Sequence, residues 1–136
     1  MKVYRYMSID ELYNVTAGIL LESYGKFLNC RTNSEGFCFL PEKIQFYSET
    51  LDETVTFDPI DCFSFLAGVI SCKSVLVEFE TEETLKQTFG IYADPYSCDW
   101  GATICIDELC TKSYDRTTFI PKRYCFPEDH VWYAVN

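Results

Sequence analysis

The chain has 136 residues, of which 48% are hydrophobic and 17% aromatic, and it carries a formal net charge of −10. This length and hydrophobic content predict one domain, residues 1–136, with a single core, and they exclude an intrinsically disordered chain. The negative charge repels phosphate backbones and anionic lipid headgroups. We therefore expect no direct binding to nucleic acid and no binding to a membrane.

The sequence contains no apolar stretch as long as a signal peptide or a membrane-spanning helix, which predicts a cytoplasmic protein. We therefore expect its eight cysteines to be reduced, and most of them stand in apolar runs, where a thiol packs as a small hydrophobe. No Cys-x-x-Cys pair is present, and His130 is the only histidine. The pattern thus favours neither a metal site nor catalysis by a Cys–His pair.

The first predicted elements are a strand and a helix. Residues 2–7 alternate charged and aromatic side chains, as a strand does. The sequence from Ser8 to Glu11 has the form of a capping box, so a helix is expected to begin there and to end at Gly18. Residues 19–21 are expected to form a short strand.

A surface loop and a buried strand follow. Residues 22–35 mix Ser, Gly, Asn and charged side chains without a period, which is typical of a loop. Gly36–Leu40 is a short apolar run that ends before Pro41, and it predicts a buried strand. The next turn is expected to contain Tyr47.

Two further helices are predicted in the middle of the chain. Asp58 and Pro59 suit the start of a helix that runs to Gly68, and residues 81–84 can cap a short one. Between these two segments, Ser74–Glu80 is expected to form a half-buried strand. One of its faces holds Val75, Val77 and Phe79, and the other holds Leu76, Glu78 and Glu80.

The last third of the chain is expected to be mostly sheet. A long loop is predicted over residues 90–101, and four short apolar segments then predict strands, at residues 103–106, 109–112, 123–126 and 131–135. Together these elements predict an α+β domain with a split or strongly bent mixed β-sheet and two or three short helices.

Three stretches hold side chains that suit the binding of a nucleotide. Arg5 lies near the end of the first strand, where its planar guanidinium can hold a diphosphate. Tyr47 follows the buried strand, where its ring can stack on a flat ligand. Asp107 and Glu108 stand between two predicted strands, so a carboxylate can project from a rigid edge.

The order of these stretches resembles the ADP-ribosyltransferase-like superfamily, in which NAD lies in the cleft of a split β-sheet. Tyr4-Arg5 resembles the arginine strand of that superfamily. Gly36-Phe37-Cys38-Phe39 resembles a strand of its small toxin-like members, and Ile106-Asp107-Glu108-Leu109 resembles its late glutamate strand.

This resemblance implies a domain that uses NAD to modify a protein or another macromolecular target, or one that keeps the fold for binding alone. It implies that Arg5, Phe39 and Tyr47 bind NAD and that Glu108 is catalytic. In the family the glutamate stabilises the positive charge that develops as nicotinamide leaves, which is a physically sensible role for a carboxylate.

A small acidic inhibitor is the alternative. Such a protein, like the anti-CRISPR and anti-defence proteins of phages, would mimic nucleic acid and occupy a basic groove of a partner protein without catalysis. This interpretation depends on the net charge and on paired acids, namely Asp52/Glu53, Glu78/Glu80, Glu82/Glu83 and Glu128/Asp129. A third possibility, a structural or assembly protein without a site, predicts neither a cleft at Arg5 nor a dense acidic face.

Overall fold

The computed structural model describes residues 1–22, 32–33, 36–62, 74–99 and 101–135. In these residues strands account for 57% and helices for 11%. The elements in chain order are β1 (Lys2–Ser8), α1 (Ile9–Thr16), β2 (Leu21–Glu22), β3 (Thr32–Asn33), β4 (Gly36–Phe39), β5 (Ile44–Ser48), β6 (Glu53–Phe57), a 3₁₀ turn (Pro59–Cys62), β7 (Ser74–Thr81), β8 (Lys86–Ala93), β9 (Thr103–Thr111), β10 (Ser113–Tyr114), β11 (Phe119–Phe126) and β12 (Val131–Ala134).

Two four-stranded sheets form most of the structure. One has the strand order β1-β7-β11-β12 and the other β3-β4-β9-β8, and every pairing in them is antiparallel. The sheets meet where Tyr4 and Leu40 exchange backbone hydrogen bonds, with N···O distances of 2.9 and 2.6 Å. This bridge brings Arg5 close to β4. The β5–β6 hairpin packs beside β9.

The predicted α+β class is wrong, because the described residues are mostly β and contain one α-helix. The predicted mixed sheet is antiparallel, and the short helix expected after Thr81 is absent. The Thr81 hydroxyl donates to the carbonyl of Thr118 at 2.7 Å and accepts from Glu83 N at 3.1 Å. Thr81 thus ends β7 in a bend, and the chain then enters β8 of the other sheet.

The helix predicted from Asp58 is present only as the 3₁₀ turn Pro59–Cys62, and the rest of that prediction, residues 63–68, lies outside the described residues. The expected loop over residues 90–101 is also wrong at its start, because β8 continues to Ala93. The two short strands expected at 103–106 and 109–112 are one strand, β9.

The first strand, the capped helix and the buried strand are confirmed. Ser8 is the N-cap of α1, and its hydroxyl accepts from Glu11 N at 3.1 Å. Gly18 follows the helix with a φ of 79°, a left-handed conformation that glycine adopts without steric cost. Gly36–Phe39 is buried at every position.

Strand β7 lies between two hydrophobic layers. Val75, Val77 and Phe79 pack into one layer with the aromatic side chains of β4 and β11, while Leu76 packs into the other. The face of β7 that holds Leu76 and Glu78 was predicted to be exposed, but both side chains are buried. In the described part of the chain, no helix is long and apolar enough to cross a membrane.

Candidate functional site

Arg5 lies in the closed interior, where the two sheets meet. Its side chain has no exposed surface, and its guanidinium donates to both carboxylate oxygens of Glu11, from Nε at 2.6 Å and from Nη2 at 2.9 Å. Nη1 donates to the carbonyl of Cys38 at 3.0 Å. Glu11 also accepts the phenol of Tyr114 at 2.5 Å. This fork-to-carboxylate geometry is that of a strong buried ion pair.

Aromatic rings enclose this ion pair. The guanidinium carbon of Arg5 lies 4.9 Å from the ring centre of Phe37 and 5.7 Å from that of Phe39. Burial, together with the negative charge of Glu11, raises the pKa of Tyr114 well above its usual value. We call Arg5, Glu11, Phe37, Phe39 and Tyr114 the closed cluster. It contains two of the residues that the sequence assigned to NAD.

Glu108, the predicted catalytic residue, lies on β9, the strand that pairs with β8. It is 3% exposed, and its Oε1 accepts the phenol of Tyr92 at 3.2 Å. A Cβ atom on Gly90 would lie 2.1 Å from the same oxygen. The carboxylate of Glu108 therefore occupies space that exists because residue 90 is glycine, which explains a glycine in the middle of a strand.

Tyr47, the fourth predicted site residue, lies at an open surface. It stands on β5 rather than in a turn, and half of its side chain is exposed. Beside β5, strands β8 and β9 pair with each other, and in this pair Phe89 lies opposite Asp107 and Ile91 lies opposite Cys105. Directly opposite residues of antiparallel strands project from the same face of a sheet. We call Tyr47, Phe89, Ile91, Cys105 and Asp107 the open face.

The open face surrounds a surface cavity of about 580 Å³. Phe89 and Ile91 are 62% and 68% exposed, which places them among the most exposed large apolar side chains of the described residues. Glu49 and Asp107 line the same cavity, and no described lining residue is Lys or Arg. The cavity therefore combines apolar side chains with negative charge.

Asp94 fixes the two sides of the open face relative to each other. Its carboxylate accepts the hydroxyls of Ser48 at 2.8 Å and Thr50 at 3.0 Å, and the backbone N–H of Tyr96 at 2.9 Å. Burial opposes the charge of Asp94, but these hydrogen bonds outweigh it and lower its pKa below the usual value. The β5–β6 hairpin is thereby joined to the segment after β8.

A third buried glutamate, Glu78, lies on β7, in the other sheet from Glu108. It accepts hydrogen bonds from Arg123 and from the phenol of Tyr4, and Lys2 Nζ lies 3.5 Å from its Oε1. The guanidinium of Arg123 covers the ring of Trp132 at 4.2 Å. Burial and the charge of Glu78 raise the pKa of Tyr4. These contacts join β1, β7, β11 and β12.

The structure brings Arg5 and Phe39 together but places the other two predicted residues elsewhere. Tyr47 and Asp107 line the open cavity, and successive strand residues point to opposite faces, so Glu108 projects away from Tyr47. Among the described residues, no group of three or more His, Cys, Asp or Glu side chains can hold a metal ion.

No family model, curated protein or solved structure matches this chain. Phe89 and Ile91, which are more exposed than Tyr47, were not predicted as site residues. Their alternation on a strand was the available signal, but Gly90 between them favoured a loop.

Proposed function

We propose that this domain binds a basic segment of a partner protein on the open face, without catalysis. The observation that supports this proposal is the exposure of Tyr47, Phe89 and Ile91 around one cavity whose charged lining residues are acidic. An antiparallel sheet that faces water normally presents polar side chains. Neighbouring large apolar side chains on such a face are typical of an interaction surface.

The two kinds of side chain have different roles in such binding. Burial of apolar surface contributes about 25 cal/mol per Å², so Phe89 and Ile91 are the expected source of affinity. Asp107 and Glu49 lie at the same cavity and attract Lys or Arg side chains. Together with the net charge of −10, they raise the association rate with a basic partner and repel nucleic acid.

NAD-dependent ADP-ribosyl transfer stays a prediction, and the geometry offers it less support. Arg5, Phe39 and Glu108 are buried, so NAD would reach them only after the strands around them separate. Tyr47 alone of the four predicted residues faces an open cavity. A thermal-shift titration with millimolar NAD tests this rival, because a ligand that binds the native state raises its melting temperature.

A random-peptide display library, screened against the purified chain, tests the proposed function without knowledge of the partner. We expect the selected peptides to contain Lys or Arg next to an aromatic or aliphatic anchor. Their affinity should fall at least tenfold between low salt and about 0.5 M salt, because the Debye length shortens and charge attraction is screened.

The matched variants are the double substitution of Phe89→Ser with Ile91→Ser and the control Tyr13→Ser, which alters an exposed aromatic residue on α1. We expect the double variant to lose peptide binding. Its free energy of unfolding should change by no more than about 0.5 kcal/mol for each substitution, as at other surface sites. Selected peptides without basic residues, or equal binding by both variants, would contradict the proposal.

A further inference from the structure

Two buried cysteines face each other across the pair β4–β9. Cys38 and Cys110 are directly opposite in the antiparallel register, and their sulfur atoms are 3.3 Å apart. Both side chains are buried and both carry thiols. The sulfurs are thus already in van der Waals contact, with no other side chain between them. Neither cysteine belongs to the open face.

The two thiols hydrogen-bond to each other, and each also has a polar neighbour. The Sγ of Cys110 donates to the Sγ of Cys38, which in turn contacts the carbonyl of Gly36 at 3.8 Å. The hydroxyl of Thr88 lies 3.3 Å from the Sγ of Cys110. A thiolate at Cys110 can therefore accept hydrogen bonds from two sides, from Thr88 and from the Cys38 thiol.

We propose that Cys38 and Cys110 form a reversible disulfide when the protein meets a peroxide. The Cys110 thiolate attacks one oxygen of hydrogen peroxide, which breaks the O–O bond, releases hydroxide and forms a sulfenic acid. The Cys38 sulfur then attacks the Cys110 sulfur, and the hydroxyl group leaves as water. Overall, two thiols lose two electrons and two protons, and one peroxide molecule becomes two water molecules.

The strand spacing makes this disulfide easy to reduce. Directly opposite residues of antiparallel strands hold their Cβ atoms about 4.5–5.5 Å apart, whereas a disulfide prefers about 3.8 Å. Formation of the bond must draw β4 towards β9, and the resulting strain favours the reduced state. Strained disulfides of this kind are the labile ones, so a thiol reductant should restore both cysteines.

Peptide mapping after peroxide treatment tests the proposal directly. The reduced chain is treated with hydrogen peroxide, its remaining thiols are alkylated under denaturing conditions, and the linked peptides are identified by mass. We expect one cross-linked species that joins Cys38 to Cys110 and is lighter by two hydrogen atoms, and we expect dithiothreitol to remove it. The rate should not depend on protein concentration, because the reaction lies within one chain.

Three variants separate this pair from the other cysteines. Cys38→Ala should abolish the cross-link, whereas Cys105→Ser, at an exposed cysteine, should leave it unchanged. Thr88→Val should slow its formation roughly fivefold, about the strength of one hydrogen bond. Full alkylation of both Cys38 and Cys110 after peroxide, or a disulfide from either to another cysteine, would overturn the proposal. Equal rates for wild type and Thr88→Val would overturn the assignment of Cys110 as the thiol that reacts first.

Discussion

The closed cluster and the open face hold similar residue types in opposite surroundings. Both contain an aromatic side chain that was assigned to NAD from the sequence, Phe39 in one and Tyr47 in the other. Around Phe39, rings and an ion pair fill the interior, whereas Tyr47 is half exposed beside other apolar side chains. The comparison teaches that a charged residue among aromatics can be part of the core, while exposed apolar side chains can surround a cavity where the sequence indicates a turn or a loop.

The difference arises from the partner of each polar group. Arg5 meets Glu11, the third residue of the helix that begins after Ser8, and the two neutralise each other inside the protein. Asp107 shares its cavity with Glu49, and no described lining residue is Lys or Arg. The ion pair therefore acts as structure, whereas Asp107 and Glu49 give the cavity the negative charge on which the proposed binding of a basic segment depends.

Arg5→Met should have the largest effect on stability, because it leaves the Glu11 carboxylate buried without its cation. Breaking a buried ion pair in this way costs about 3–5 kcal/mol. Urea unfolding measures the loss. Arg116→Met, at an exposed arginine that donates to the carbonyl of Thr16, is the matched control and should cost less than about 1 kcal/mol.

A double variant of Arg5→Met with Glu11→Leu should recover part of the loss, since it removes the uncompensated charge as well. Equal losses for Arg5→Met and Arg116→Met would contradict a structural role of the Arg5–Glu11 ion pair.

Gly90→Ala should have an intermediate effect. The new methyl group would lie 2.1 Å from the Glu108 carboxylate and 2.7 Å from the ring of Tyr92, so both side chains must move. Such overpacking costs about 1–3 kcal/mol. In Gly101→Ala, the control, the nearest atom is at 3.6 Å, and we expect a change within about 0.5 kcal/mol.

Thermal and urea unfolding of the two glycine variants test this account of Glu108. Addition of Glu108→Ala to Gly90→Ala should relieve the close contact, so the two substitutions together should cost less than the sum of their separate effects. Strict additivity would contradict the packing of Glu108 against Gly90.

Asp94→Asn should have the smallest effect, and its size should depend on pH. The pKa of Asp94 is lower in the folded chain than its unfolded value of about 3.9, so its charge stabilises the fold above that pH. This contribution is lost as the pH falls through the folded value. The stability difference between wild type and Asp94→Asn should thus be largest near pH 7 and shrink below about pH 4.

Urea unfolding of both chains between about pH 3 and pH 7 checks this prediction. A stability difference that stays constant over the whole range would contradict the role of the Asp94 carboxylate in holding the β5–β6 hairpin.

The sequence predicted the elements whose signals are local. The alternation in β1, the capping residue Ser8 and the apolar run of β4 each depend on neighbours in the chain, and all three predictions are confirmed. Thr81 and Gly90 misled the prediction, because their roles depend on distant partners. Thr81 bonds to Thr118, and Gly90 makes room for Glu108 on the next strand.

The candidate site was harder to predict than the fold. A sequence shows that Arg5 is charged, but not that Glu11 reaches it in the interior. The β5–β6 hairpin was not predicted, although Ile44 and Phe46 alternate with Gln45 and Tyr47, because the side chains of its second strand, β6, are exposed or half-buried and give a weak apolar signal. Without that hairpin, Tyr47 could not be placed beside Phe89.

The most direct test of the proposed interface uses two exposed cysteines, because Cys105 lies on the open face and Cys98 does not line its cavity. Iodoacetamide alkylation of each thiol is measured with and without a selected peptide at ten times its dissociation constant. The account predicts that the peptide slows alkylation of Cys105 about tenfold, by simple occupancy, and leaves Cys98 unchanged. Equal rates at Cys105 with and without bound peptide would contradict it.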